Sequence, residues 1–423
     1  MRLSYLSKVP GIGGKLKSAP EDFMVEEISP DGMIYELDKR FEMPDEGGAY
    51  THFILQKKDW STASALSEIA KRLRTSQNNM NTAGTKDKRA VTTQLASVRG
   101  DKRQALSELK IKDISINGSW LARDRVHMGG LLGNRFTITV RDAAGAGDRV
   151  PDAECRAQGA MDAGNRMPDA EDCARRIAGE LDGRFPNYFG EQRFGSTRRN
   201  THKIGEMLLQ GKTEDAAMSF LCDSEGEENP QARLARQELA ETKDFSRALK
   251  GFPQHLRLER SMLDHLAKDP DDYLGALRRL PRNILLLFIH AFQSDIFNRL
   301  LSERIAEGGP ELEEGEYFCG ERHGFPDTDK IEAEGWITGK IIGYNTPLNG
   351  RERALLEELG VDKDSFRMET IPEISSKGTY RTLLAPLRGF SVSGLQSPDG
   401  MRFRFSLPSG SYATVAMAEF VKD

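Results

Sequence analysis

The chain has 423 residues, of which 38% are apolar, 30% charged and 8% aromatic, and its formal net charge is −5. That length exceeds one ordinary core and predicts two or three domains, while the composition excludes wholesale disorder. The net charge alone does not point to nucleic acid, but residues 71–103 carry nine Lys/Arg against two Asp, and residues 21–46 carry ten Asp/Glu against two Lys/Arg.

Along the chain, "AYTHFILQK" (49–57) reads as a strand. "STASALSEIAKRLR" (61–74) follows, with Ala65, Leu66, Ile69, Ala70 and Leu73 at helical spacing and Ser61 or Thr62 available as a cap. "NTAGTKDKRAVTTQLASV" then passes from a Gly turn into a β-rich stretch from Val91 to Val98, which places Asp87 in a loop flanking a strand. In "NRFTITVR" (134–141), Phe136, Ile138 and Val140 alternate onto one face, the pattern of a half-buried strand. Residues 142–168 are rich in Gly, Ala, Asp and Pro and read as a linker. They begin a near-duplication, "RVPDAECR" and "RMPDAEDCAR", whose second copy predicts a helix with Pro168 in its first turn. From 187 to about 385 helices dominate, notably 283–305, with Ile284, Leu287, Phe288, Ala291 and Phe292 on one stripe. The chain then returns to a strand at "MRFRFSL" (401–407), so the helical block reads as an insertion into a sheet begun early and completed late.

The four cysteines (Cys155, Cys173, Cys222, Cys319) form no CxxC pair and have no zinc-like His spacing. Free thiols in a reducing cytoplasm and no metal are expected. "MRLSYLSKVPGIGGKLK" has no apolar core of signal-peptide length, and "ILLLFIHAF" (284–292) is too short for a bilayer, so no membrane role is expected. "LQGKTED" (209–215) lacks the Gly and the preceding strand of a phosphate loop; "GIGG" (11–14) reads as a turn and His290 as a core histidine.

The chemistry concentrates in "AGTKDKRAVTTQ" (83–94), where Asp87 lies between Lys86 and Lys88 with Arg89 beside it. Flanking cations favour an ionised carboxylate and would hold the phosphates of a substrate that otherwise repels it, which suits nucleophilic or general-base work on a polyanion. A solvated turn is the competing reading.

Five motifs in order resemble the tRNA pseudouridine synthase D (TruD) family: "KSAPEDFMVEE" (17–27), "AGTKDKRAVTTQ", "GNRFTITVR" (133–141), "PNYFGEQRFG" (186–195) and "LPSGSYATVAMAEF" (407–420). The resemblance implies an α+β pseudouridine synthase catalytic domain with a mixed, mainly antiparallel sheet, plus a mainly helical α/β insertion (TRUD) domain. The implied boundaries are 1–186 and 388–423 for the catalytic domain and 187–387 for the insertion, with RNA in the cleft between them. It implies isomerisation of uridine to pseudouridine, at position 13 of tRNA, with no cofactor and no obligate protein partner. Asp87 carries over as the essential aspartate and Lys17 as its basic partner, Phe136 as the platform for the flipped base, and Asn134 as a reader of the uracil edge. Phe23 and Tyr412 are further pocket candidates, with Lys86 and Gln94 behind them. Arg193, Arg198, Arg199 and Lys203 in "QRFGSTRRNTHK" (192–203) are candidates for the RNA backbone. One departure stands out: family members usually carry Arg before the Glu of the closing helix, and here the pair is Ala418-Glu419. The alternatives are a non-catalytic tRNA-binding or chaperone protein and, more weakly, a methyltransferase, for whose cofactor "GIGG" is a poor fit.

Overall fold

The structure, a computed structural model, describes residues 3–143, 169–195, 197–395 and 400–422. The chain forms two compact units. A sheet unit comprises Leu6–Pro186, Glu321–Asp327 and Leu384–Asp423, and a helical unit comprises Met1–Tyr5, Asn187–Gly320 and Thr328–Leu383. The chain leaves the sheet unit along Arg184–Pro186 and returns along Leu384–Pro386, and these two short strands pair with each other.

The sheet unit is built on eight strands: β1 (Phe23–Ile28), β2 (Tyr50–Lys58), β3 (Met80–Thr82), β4 (Val91–Arg99), β5 (Ile114–Ala122), β6 (Gly133–Arg141), β7 (Arg388–Gly394) and β8 (Gly400–Pro408). Their order is β7-β8-β6-β1-β4-β2-β5, with β3 also on β4. The pairing of β1 with β4 is parallel and the others are antiparallel, so the sheet is mixed as expected. The alternation in β6 and β8 does what it predicts: Phe136, Ile138, Val140, Phe403 and Phe405 are buried.

Paired residues share a face of a sheet. One such face carries two apolar clusters. The first joins Phe23, Val25, Phe136, Ile138, Phe403 and Phe405 to the helices Ala170–Leu181 and Ala413–Val421. The second joins Phe53, Leu55 and Ala96 to the helix Thr62–Arg72, which Ser61 caps through the Ser64 amide. Between the clusters lie the polar side chains of Lys57, Thr92, Gln94 and Glu27, all buried.

The closing helix explains two features of the sequence. Glu419, preceded by Ala418, is 2% exposed and accepts from the amides of Leu6 and Ser7 at 2.8 and 3.1 Å. "GIGG" runs along the end of the same helix, with the Ile12 amide donating to Phe420 O at 2.8 Å. It is a structural turn.

In the helical unit the central element is the helix Arg282–Ala306, long and apolar enough to cross a membrane by length and composition, yet largely buried within its own unit. The predicted stripe needs correction: Phe288, Ala291 and Phe292 are buried, but Leu287 is 38% exposed, and Leu285 and Ile289 face inward as well. A helix packed on several sides has no single apolar stripe to read. Gly205, on the helix Thr201–Leu209, lets the two backbones approach, since a Cβ there would lie 2.1 Å from Phe288 O. His290 is half-buried on the central helix, where burial pushes its pKa down. "LQGKTED" turns between helices Thr201–Leu209 and Thr213–Cys222. The unit also holds strands, with Trp336–Ile341 pairing with Phe318–Arg322 and Thr379–Thr382. Cys173, Cys222 and Cys319 form no disulfide among the described residues, whereas Cys155, Pro168 and most of the linker lie outside the described residues.

Candidate active site

β4 is flanked on one side by β2 along its whole length and on the other by two strands in succession. β1 takes its first residues, Met24 opposite Val91 to Glu26 opposite Thr93, and β3 takes later ones, Met80 opposite Val98 to Thr82 opposite Ala96. Residues 83–90 therefore leave the sheet after β3 and re-enter it as β4. Asp87 rides on this excursion.

Side chains, most of them buried, fix the loop at successive points. Gln94 Nε2 donates to Gly84 O at 3.0 Å. The Lys86 amide donates to Thr62 Oγ1 at 2.9 Å, and Thr62 in turn donates to Gln94 Oε1 at 3.1 Å. Lys86 Nζ lies 2.6 Å from Glu27 Oε2, with the two side chains 5% and 1% exposed. The other Glu27 oxygen accepts from the Leu95 amide at 2.9 Å. Lys57, 0% exposed, donates to Asp87 O at 2.8 Å. Burial pushes the Lys57 ammonium down to about 8 against the opposing pull of Asp87. Arg89 Nη2 donates to Ser18 O at 2.6 Å, tying the loop to the segment that carries Lys17. A loop held this way keeps its carboxylate in place without help from ligand.

Lys17 and Asp87 meet over an aromatic ring. Lys17 Nζ lies 3.4 Å from Asp87 Oδ1 and 4.1 Å from the Phe23 ring centroid. Their side chains are 22% and 30% exposed, so the pair is sheltered but reachable. Lys17 adopts φ +57°, a left-handed conformation that strains a residue with a Cβ. Phe23 meets Phe136 edge-on at 6.0 Å, and Phe136 meets Phe405 at 5.9 Å. One transverse row runs in register across five strands: Lys57, Thr92, Val25, Phe136, Phe405. Asn134 follows two positions before Phe136 on the same face of β6. Its Oδ1 and Thr92 Oγ1 are buried without a hydrogen-bond partner. Orphaned buried acceptors are costly and are met by ligand or water where they persist. The arrangement combines a carboxylate, an ammonium, aromatic rings and unmet acceptors, the needs of a planar polar base on a charged backbone.

Lys17, Asp87, Phe136 and Asn134 thus gather in the sheet unit, with Phe136 only 6% exposed and part of the core as well; Phe23, expected in the pocket, is 1% exposed and belongs to the core beneath Lys17. Tyr412 stands half-buried at the start of the closing helix, just after β8. Two further expectations need correction. Lys86 and Gln94 are 8% and 0% exposed and spend their polar groups on Glu27, Thr62 and Gly84, so they hold the loop instead of facing a substrate. Arg198, in the helical unit, is also turned inward: it donates to Phe220 O at 2.6 Å, and burial pushes its pKa down. Arg199 and Lys203 are exposed, Arg199 with Glu191 at 2.8 Å, while Arg193 donates to Ser294 Oγ at 3.1 Å. Sequence reasoning missed Lys57, Thr92 and Glu27. A signal existed only for Lys57, a lysine that continues the alternate positions Phe53 and Leu55 of its strand.

The profile of the family described as tRNA pseudouridine synthase D (TruD) matches residues 2–420. A protein of Methanosarcina acetivorans named "Probable tRNA pseudouridine synthase D" is 34% identical over 99% of this chain and 95% of its own length. One of the same name from Methanopyrus kandleri is 38% identical over 88% of this chain and 86% of its own. Among solved structures, the one described as "Crystal Structure of the Putative tRNA pseudouridine synthase D (TruD) from Methanosarcina mazei" superposes with a TM-score of 0.76 at 32% identity, covering 99% of this chain and 96% of that one. The five ordered motifs, the mixed sheet and these likenesses agree, and the chain belongs to the tRNA pseudouridine synthase D family.

Proposed function

We propose that the protein isomerises uridine to pseudouridine at position 13 of tRNA, the position the family resemblance implies, with Asp87 as the group that reacts with the nucleotide. The placement of Asp87 beside Lys17 over the Phe23 ring, on a loop anchored from beneath, carries this reading. In the reaction the C1′–N1 bond breaks and a C1′–C5 bond forms. The C5 proton leaves to solvent and N1 gains one. Asp87 either adds to the nucleotide or removes a proton from it, and Lys17 balances its charge before and after. Asn134 Oδ1 accepts from the uracil edge and the edge of Phe136 backs the base once it leaves its stack, while Phe23, buried beneath, supports the Lys17 ammonium.

Tritium release from tRNA carrying uracil labelled at C5 tests the proposal, with pseudouridine mapping to locate the product. Asp87→Asn changes charge and reactivity at almost constant shape, so turnover is lost while tRNA binding survives. A folded Asp87→Asn protein that still releases tritium, or product only at other positions, would overturn it.

A further inference from the structure

The loop joining β5 to β6 presents an apolar side chain where none is needed for folding. Met128 is 76% exposed, the highest value among the exposed large hydrophobics. Singly exposed apolar residues are common and carry no meaning alone. This one is different because the turn that carries it is hydrogen-bonded to the segment leading into the Asp87 loop. The Gly130 amide donates to His127 O at 3.0 Å, and Gly129 has φ +82°. That places Met128 at the corner of a turn whose third residue must be left-handed, which glycine supplies. The Gly129 amide donates to Ala83 O at 2.7 Å, four residues before Asp87. The Leu132 amide donates to Ile28 O at 3.0 Å, and the Val126 amide to Ser97 Oγ at 2.9 Å. The turn is thus stapled to the same backbone that carries the reactive loop. Arg123, Arg125 and His127 on the same segment are all exposed.

This arrangement answers a problem that the proposed reaction creates. A uridine drawn out of its stack leaves a gap between its neighbours, and the neighbours close on it unless something fills it. Apolar side chains, methionine among them, fill such gaps when inserted as wedges from a fixed backbone. We propose that Met128 is that wedge: it enters the RNA stack at the place left by the flipped uridine, while Arg123 and Arg125 hold the flanking phosphates. The proposal rests on the isomerase reading above. It assigns Met128 no role in the bond changes; it is a positioning residue for the RNA.

The test measures kcat/KM for transcribed tRNA with C5-tritiated uracil at low and high salt, using the full chain and its Met128→Ser and Met128→Leu variants. An apolar wedge offsets the cost of an unstacked step, whatever the sequence, so Met128→Ser loses about tenfold or more at both salt concentrations. Met128→Leu restores most of the loss, since it is apolar and of similar size. Arg123→Ala combined with Arg125→Ala acts differently, weakening tRNA binding mainly at low salt and flattening its salt dependence by roughly one for each phosphate lost. A Met128→Ser protein within twofold of the parent overturns the proposal. So does a loss that vanishes at high salt, or one that leucine fails to restore. A parent protein that releases no tritium at all instead refutes the isomerase reading, so the two failures are distinct.

Discussion

Replacing Lys57 by methionine separates what the loop needs from what the fold needs. In the native structure the ammonium is 0% exposed and donates to Asp87 O, and its pKa falls from the ordinary 10.5 to about 8. At about 1.4 kcal/mol per pH unit, keeping this lysine charged at neutral pH costs the fold roughly 3 kcal/mol. A hydrogen bond from a charged donor returns roughly 1.5–3 kcal/mol, so Lys57→Met, which removes both, leaves stability within about 1–2 kcal/mol of the parent. The loop fares worse. Its carbonyl at Asp87 loses its donor, and a displacement of the reacting group by roughly 1 Å costs on the order of a hundredfold in rate. Tritium release therefore shows kcat falling by about that factor with KM for tRNA little changed. The pH dependence carries a second signature. Between about pH 8 and 10.5 the folded protein has released the Lys57 proton and the unfolded chain still holds it, so this site makes stability rise with pH across that window. Denaturant unfolding at several pH values shows a rise in the parent that the variant lacks. A Lys57→Met protein that turns over like the parent, or whose stability follows the same pH profile, would refute the reasoning.

Glu27→Gln leaves the buried Lys86 ammonium without its counter-charge and destabilises the protein by about 3–5 kcal/mol in denaturant unfolding, whereas Glu27→Leu combined with Lys86→Met recovers most of that. Equal losses in the single and double variants would show that the pair is not coupled. Asn134→Val removes an acceptor that the native fold leaves unmet, so thermal stability holds or rises by roughly 1 kcal/mol while tRNA turnover falls; a loss of stability in step with activity would count against a substrate role. Arg198→Ala removes the guanidinium that serves Phe220 O and lowers stability by about 1–3 kcal/mol, whereas Lys203→Ala leaves stability unchanged and weakens tRNA binding at low salt. The opposite pattern would restore Arg198 as an RNA contact.

The elements that sequence revealed are those whose information is local. β6 and β8 announce themselves by alternation and the helix Thr62–Arg72 by its spacing and its Ser61 cap, because each buries one face against one neighbour. Asp87 was legible for a similar reason, since the charges that mark it crowd into the four residues 86–89. The central helix Arg282–Ala306 was found, but its orientation was not, because burial on several sides erases the stripe. The support beneath Asp87 was illegible for a different reason: it depends on which strands become neighbours. Glu27 belongs to the acidic run 21–46, where nothing local marks it for burial, and Lys86 to a basic run that reads as a phosphate contact. They become one buried pair only because β1 and β3 divide the flank of β4 between them and send residues 83–90 across the gap. The same pairing sinks Lys57, which a strand-end lysine would otherwise raise into water. The cations of the signature therefore split into separate tasks. Lys86 fastens the loop from below, Arg89 ties it to the Lys17 segment, and Lys88 stays exposed. A local charge pattern can mark a reactive loop, but which charges face the substrate is decided by strand order, and strand order is written in pairings tens of residues apart.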